Sequence, residues 1–278
     1  MTGKIELAGR EVPRVGFGAL RLASLTGLAM EPGEAAGVLR AAVDRGVRLV
    51  DTAEFYGRSA LNVLIRDTLR GWYPQLVVAT KIGARHDPES GLRPAQRPAE
   101  LRADVAANLV SLGTDRLDLV YLRRTDMRPG IIATGTQVVD LDSQLAELTA
   151  MRDEGKIAAI GLSNVTADQL GRALPAGIAA VQNAYSFADR SAEPVLDLCR
   201  ANGIAWIPYW PLGGTFPETP KVTELPAVVD GAARLGITPA QYGLAWLLAH
   251  YERTALIPGT RNVAHLDENL AVTKIDMN

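Results

Sequence analysis

Short apolar runs alternate with longer stretches of helical period along most of the chain. "VRLVD" (47–51), "LVVATK" (76–81), "LDLVYL" (117–122), "IAAIGLS" (157–163), "IAAVQ" (178–182), "IAWIPY" (204–209) and "TALIPG" (254–259) are rich in apolar residues without strict alternation. A strand with one wet face alternates apolar and polar positions. A strand buried on both faces does not, and such strands belong to parallel sheets clothed in helices. Between these runs lie "PGEAAGVLRAAVDRG", "RPAELRADVAANLVSLG", "DSQLAELTAMRDEG", "TADQLGRALP" and "SAEPVLDLCRANG", with apolar residues at helical spacing. Several open on a capping residue and close on glycine. With "VGFGAL" (15–20) as the opening strand, eight strands are expected.

Eight βα units in about 250 residues match a closed (β/α)8 TIM barrel in the α/β class. The competing architecture is an open doubly wound sheet, which carries G-x-G-x-x-G after its first strand. Here the first strand gives only "GFGAL", with no third glycine opening a helix, so the barrel is preferred. Residues 1–13 read as a hairpin, turning at Gly9, that closes the barrel bottom. The whole of 1–278 is expected to be one domain. Two connections are unusually long, 82–97 and 123–139, and both follow strand C-termini, where barrel active sites lie.

Composition narrows the picture further. At 278 residues and 47% hydrophobic, the chain can bury a large core. A net charge of -2 without long single-sign blocks gives no electrostatic case for nucleic acid or an anionic membrane. The N-terminus lacks a charged start followed by an apolar stretch and a cleavage site. The apolar runs stop short of the roughly 20 residues a membrane span needs. A soluble cytoplasmic protein without nucleic-acid or membrane partners is expected, and oligomeric state is not legible. Cys199 is the only cysteine, which excludes an intrachain disulfide, and reads as helix packing. No metal-ligand set is expected.

Candidate chemistry sits at strand ends. "DTAEFYG" follows the second strand and contributes Asp51 and Tyr56, while Lys81 ends the third strand. A lysine ammonium beside a phenol favours the phenolate, and a carboxylate beside the lysine keeps it charged and in place. A phenol so placed can act as a general acid near neutral pH. Taken one at a time, these residues also suit a turn cap, an interfacial aromatic and a solvated strand end; their convergence favours chemistry.

From "VGFGAL" through "DTAEFYG", "VVATK", "GTDRLDLVYL", "GKIAAIGLSN", "VQNAYS" and "WPLGG" to "IPGTRNVAHLDEN", the chain resembles the aldo-keto reductases almost end to end. The resemblance implies a (β/α)8 barrel that binds NADPH/NADP+ without a Rossmann domain. It implies hydride transfer between the nicotinamide and a small-molecule carbonyl substrate, an aldehyde or ketone, with Tyr56 as proton donor and Lys81 and Asp51 as its partners. It also implies a cofactor groove. Ser163, Asn164 and Gln182 would hold the carboxamide, and Tyr209 would stack on the nicotinamide. Gly18 would lie beside the cofactor, and Pro211 and Leu212 of "PLGG" (211–214) beside the pyrophosphate. Gly259, Thr260 and Arg261 would surround the adenosine 2′-phosphate. Glu268 and Asn269 would bond the adenine, and His265 would line the same pocket.

The chain departs from the family pattern in several places. "SALNVLI" (59–65) lacks the usual acidic residue and glycine after the tyrosine motif, and Trp210 replaces a small hydroxyl residue. Thr125 stands in place of a common proline. The largest departure is Arg123 in "DLVYLRRTD", where the family usually has histidine. An arginine can polarise a carbonyl oxygen, but it cannot relay a proton. Its guanidinium is well shaped for a carboxylate, so a carboxylate-bearing carbonyl would suit it. The expectation is a reductase adapted to such a substrate. The alternatives are a substituted variant, an NADP(H)-binding sensor with impaired turnover, and a reductase of a conjugated C=C bond. His86, in the long connection after Lys81, is a candidate substitute imidazole, although a surface histidine without a role is favoured.

Overall fold

The computed structural model describes residues 3–24, 26–128, 130–213 and 220–277. It begins with the expected hairpin. Strands β1 (Lys4–Leu7) and β2 (Arg10–Pro13) pair antiparallel around Ala8 and Gly9, both at positive φ, as a two-residue hairpin loop requires. Next come β3 (Phe17–Gly18), β4 (Leu49–Asp51) and β5 (Val77–Ile82). The connection after β5 is a second antiparallel hairpin, β6 (Ala84–Asp87) with β7 (Gly91–Pro94), where the sequence suggested only a long connection. Strands β8 (Leu117–Arg123), β9 (Ile157–Ser163), β10 (Ile178–Gln182) and β11 (Ala205–Trp206) complete the set.

A parallel sheet runs in the order β3-β4-β5-β8-β9-β10-β11. The eighth expected strand, 254–259, is too short for a continuous ladder, yet it closes the ring. Thr254 bridges Trp206 on one side, and Leu256 bridges Val15 on the other, both in parallel. Arg14 locks this seam from inside. Its buried guanidinium donates to the carbonyls of Thr254 at 2.9 Å, Leu248 at 2.5 Å and Tyr251 at 2.7 Å. The result is the closed barrel of the α/β class.

Helices α1 (Pro32–Asp44), α2 (Ala60–Leu69), α3 (Pro98–Leu112), α4 (Leu141–Asp153), α5 (Ala167–Ala173), α6 (Glu193–Asn202), α7 (Pro226–Leu235), α8 (Pro239–His250) and α9 (Val263–Ala271) accompany the strands. Their amphipathic spacing is what binds them to the sheet. In α1, Ala35, Val38, Leu39, Ala42 and Val43 are buried, one face of a 3.6-residue period. The helix-facing side chains join one large core, with Leu39, Ile65, Val105, Leu148 and Ile160 among them. The barrel interior is a second core: Leu49, Val77, Leu119, Tyr121, Ala180 and Ala255, plugged from below by Ile5, Leu7 and Val12 of the hairpin.

Close backbone approach fixes the seam beside the mouth. A Cβ on Gly18 would lie 2.3 Å from the carbonyl oxygen of Ile257, and one on Gly259 would lie 2.5 Å from that of Gly18. Gly18→Ala is expected to lower stability by roughly 1–3 kcal/mol, the usual cost of overpacking. Denaturant unfolding measures this, and an unchanged midpoint would mean that the seam yields freely. No helix among the described residues is long and apolar enough to cross a membrane.

Candidate active site

Strands β4 and β5 end side by side at the C-terminal mouth, with Asp51 paired to Ala79. Lys81 Nζ donates to Asp51 Oδ1 at 2.5 Å and to the carbonyl of Thr52 at 3.0 Å. The other carboxylate oxygen of Asp51 accepts from Gln182 Nε2 at 2.9 Å, across 131 residues of sequence. Asp51 and Lys81 are only 5% and 4% exposed. Burial works against the Lys81 ammonium, but Asp51 and Tyr56 together outweigh it and hold the lysine above its ordinary range. The lysine is therefore a fixed cation at neutral pH.

Tyr56 leans over that cation, with Lys81 Nζ 5.2 Å from its ring centroid and Phe55 packed edge-on at 5.2 Å. The turn that presents it is tight. Gly57, Arg58 and Ser59 all have positive φ, and a Cβ on Gly57 would fall 2.2 Å from the carbonyl oxygen of Gly27. Left-handed backbone costs non-glycine residues on the order of 1–3 kcal/mol each. Here the departure seen in "SALNVLI" becomes visible: α2 starts from a strained entry, steadied by a bond from the Ser59 hydroxyl to Glu54. Behind the pair, a buried polar network ties the strands to α2 and α3. Thr52 donates to Asn62 at 2.9 Å, Thr80 donates to Asn108 at 2.6 Å, and Asn62 donates to Asn108 at 3.1 Å.

Arg123 closes β8 and lines the same cleft as Asp51, Tyr56 and Lys81. Its side chain makes no hydrogen bond or ion pair with another described residue. A Cβ on Gly130 would sit 2.6 Å from its terminal nitrogen, so that glycine gives the guanidinium its space. The neighbouring Arg124 takes the structural partners instead. It pairs with Asp126 at 2.5 Å, donates to the Val139 carbonyl at 3.0 Å and bonds Gln144. Gln96, 1% exposed, donates from one nitrogen to the carbonyls of Gly83 at 2.6 Å and Arg123 at 2.9 Å. That clamp ties the end of β8 to the chain just after Lys81.

The cleft continues away from this group as a groove of about 1420 Å³. Ser163, Gln182, Tyr209, Pro211, Leu212, Gly18, Gly259, Thr260, His265, Glu268 and Asn269 all line it. Two expected members do not. Asn164 is buried at φ 60° and bonded inside the protein: it donates to the carbonyls of Arg124 at 3.2 Å and Met127 at 2.8 Å, and accepts from Tyr209 at 3.3 Å. Arg261 is exposed and lies outside the lining. Gly214 of the "PLGG" turn lies outside the described residues, as does Pro129 in the long connection 123–139. Burial raises the Tyr209 phenol to about 12, against the opposing pull of the Arg123 cation. Trp210 at φ 53° stacks edge-on against Tyr209 at 4.9 Å. His86 does reach the cleft, where its Nε2 accepts from Arg58 at 2.7 Å.

The donor set suits a dinucleotide. Amide, hydroxyl, aromatic and imidazole side chains line the groove together. The volume exceeds the roughly 300–1,000 Å³ of a small-molecule pocket. Motif reading missed Gln96, Asn62, Asn108 and Arg128, which carry no local signature; their roles arise from partners distant in sequence.

The parallel barrel thus brings a lysine, a carboxylate and a tyrosine together at its C-terminal mouth. The aldo/keto reductase family model matches residues 14–278, and the chain belongs to that family. It is 40% identical to pyridoxine 4-dehydrogenase of Escherichia coli over 98% of this chain and 93% of that protein. It is 32% identical to an uncharacterized oxidoreductase of Schizosaccharomyces pombe, over 99% of this chain and 86% of that one. A crystal structure of an aldo-keto reductase from Klebsiella pneumoniae in complex with NADPH superposes with TM-score 0.79, at 24% identity, covering 99% and 90% of the two chains. That likeness extends to the fold.

Proposed function

We propose that the protein interconverts an aldehyde and its primary alcohol with NADP(H), with Tyr56 giving its proton to the carbonyl oxygen during reduction. The observation carrying this reading is the convergence of Tyr56, Lys81 and Asp51 in a cleft of about 1420 Å³, roomy enough for a dinucleotide. Bound along that groove, NADPH supplies the hydride to the carbonyl carbon. The electron pair of the C=O bond moves to oxygen, which takes the proton of Tyr56, and solvent restores that proton. Lys81 stabilises the phenolate left behind, and Asp51 keeps Lys81 charged and aimed. Arg123 donates to the carbonyl oxygen and orients it, without taking part in the proton transfer.

The pyridoxine 4-dehydrogenase relative supports a ring-borne hydroxymethyl and aldehyde pair as the substrate, as do the walls formed by Phe55, Leu92 and Ile131. The test follows NADPH oxidation with the 4-aldehyde of pyridoxine, and NADP+ reduction with pyridoxine. Turnover in neither direction, with these or with simple aldehydes, overturns the reading.

Cofactor preference gives a second check. Thr260 lines the groove and the exposed Arg261 follows it in the chain, so NADPH should bind more tightly than NADH. A charged hydrogen bond contributes about 1.5–3 kcal/mol, so Arg261→Ala should narrow that preference about tenfold. Fluorescence titration of both cofactors measures it, and equal affinities in the parent protein would contradict a 2′-phosphate site here.

A further inference from the structure

We infer that Arg123 is a two-pronged receptor for an anionic oxygen carried beside the reacting carbonyl, so that the cleft selects aldehydes and ketones bearing a neighbouring phenolate or carboxylate. This deepens, and rests on, the carbonyl-reducing reading of the same cleft.

A half-buried guanidinium ordinarily pairs with an acid, because taking a charge from water is costly unless a partner compensates it. Arg123 has none among the described residues. The acids of the cleft are committed or remote: Asp51 is used by Lys81 and Gln182, and neither Asp189 nor Glu268 pairs with Arg123. The partner that would relieve it elsewhere, Asp126, belongs to Arg124. The arrangement is also held in place. Gln96 fixes the backbone carbonyl of Arg123, and Gly130 leaves the space its terminal nitrogen fills. Arg128, exposed on the same lining, adds a second positive charge. A built and unpaired cation in a substrate cleft is a binding feature.

Its geometry selects the ligand. Guanidinium presents two parallel N–H groups that match two oxygens side by side. A phenolate ortho to an aldehyde, or a carboxylate next to a ketone, sets its anionic oxygen beside the carbonyl oxygen at about that spacing. One fork then holds both oxygens, and the carbonyl keeps a lone pair for Tyr56. The apolar side chains of Phe55, Leu92 and Ile131 suit the ring of an aryl substrate.

The test uses two matched pairs: 2-hydroxybenzaldehyde against 2-methoxybenzaldehyde, and phenylglyoxylate against its methyl ester. The parent protein should favour the anionic member of at least one pair in kcat/KM by roughly tenfold to a hundredfold, the range of one charged hydrogen bond. The pair favoured identifies the source of the anion. Arg123→Met should bring the ratio near one, and Arg123→Lys, which keeps the charge without the fork, should fall between. For the phenol, the preference should grow as pH rises through its own titration. Ratios near one in the parent, or unchanged in Arg123→Met, overturn the inference while leaving the reductase intact. Calorimetric binding of 2-hydroxybenzaldehyde to the NADP+-loaded protein gives a readout without turnover. Binding lost in Arg123→Met, in a protein that reduces no aldehyde, would sustain the receptor and refute the reductase. Binding that is equal in both proteins refutes the receptor.

Discussion

Tyr56→Phe is expected to abolish practical turnover of every accepted carbonyl. General acid catalysis contributes about 10²–10⁴-fold. Lys81 is hydrogen-bonded to Asp51, Arg123 cannot deprotonate, and the Nε2 of His86 is held by Arg58. NADPH affinity should stay nearly unchanged, because the groove residues from Ser163 to Asn269 are untouched. Steady-state kinetics together with cofactor titration separate the two effects. Turnover within threefold of the parent would remove Tyr56 from the proposed role.

The second large effect is expected from Lys81→Met, and it has two parts. Turnover should fall about as far as in Tyr56→Phe, since the phenolate loses its stabilising cation. Stability should also fall by roughly 3–5 kcal/mol, because removing one partner leaves the Asp51 carboxylate buried and uncompensated. The double variant Lys81→Met with Asp51→Asn discriminates between these parts. It should recover much of the lost stability by removing the stranded charge, yet recover no turnover. Thermal or denaturant unfolding of the four proteins in the cycle measures the coupling. Additive losses in the double variant would mean that Lys81 and Asp51 do not act as a pair.

The strained entry to α2 bears on both experiments. Positive φ at Gly57, Arg58 and Ser59 sets the turn that carries Tyr56, and the hydroxyl of Ser59 bonds Glu54 across it. Strain of this kind persists only where the surroundings over-determine it. Here the close contact of Gly57 with Gly27 and the aromatic packing of Phe55 provide that support.

The sequence by itself determined the elements whose signal is local. Apolar runs without alternation mark strands buried on both faces, so the order of the barrel strands was legible before any coordinates. The strand-end positions of Asp51 and Lys81, and the turn carrying Tyr56, followed from where those runs stop. The hairpin of Lys4–Leu7 with Arg10–Pro13 was equally plain, because Gly9 interrupts two short apolar-alternating stretches. The hairpin at Ala84–Pro94 was not, since "ARHDPESGLRP" is polar on both strands and lacks the alternation that announces a half-buried ribbon.

Only the tertiary structure decided which side chains spend their bonds on the protein and which remain available. Asn164 and Gln182 both carry amides, the first just past β9 and the second at the end of β10, yet the first is consumed by Arg124, Met127 and Tyr209, while the second lines the cleft and braces Asp51. Arg123 and Arg124 are adjacent, identical in type and placed at one strand end. Their fates diverge because successive residues of a strand point to opposite faces: Arg124 turns to Asp126, Val139 and Gln144, and Arg123 turns into the cleft beside Gly130. Barrel closure likewise rests on single bridges from Thr254 to Trp206 and from Leu256 to Val15, held by Arg14 reaching about 240 residues along the chain. Local pattern fixes what a residue is and which element it joins. Partnership between distant residues depends on register and packing around the closed ring, which no short window of sequence contains.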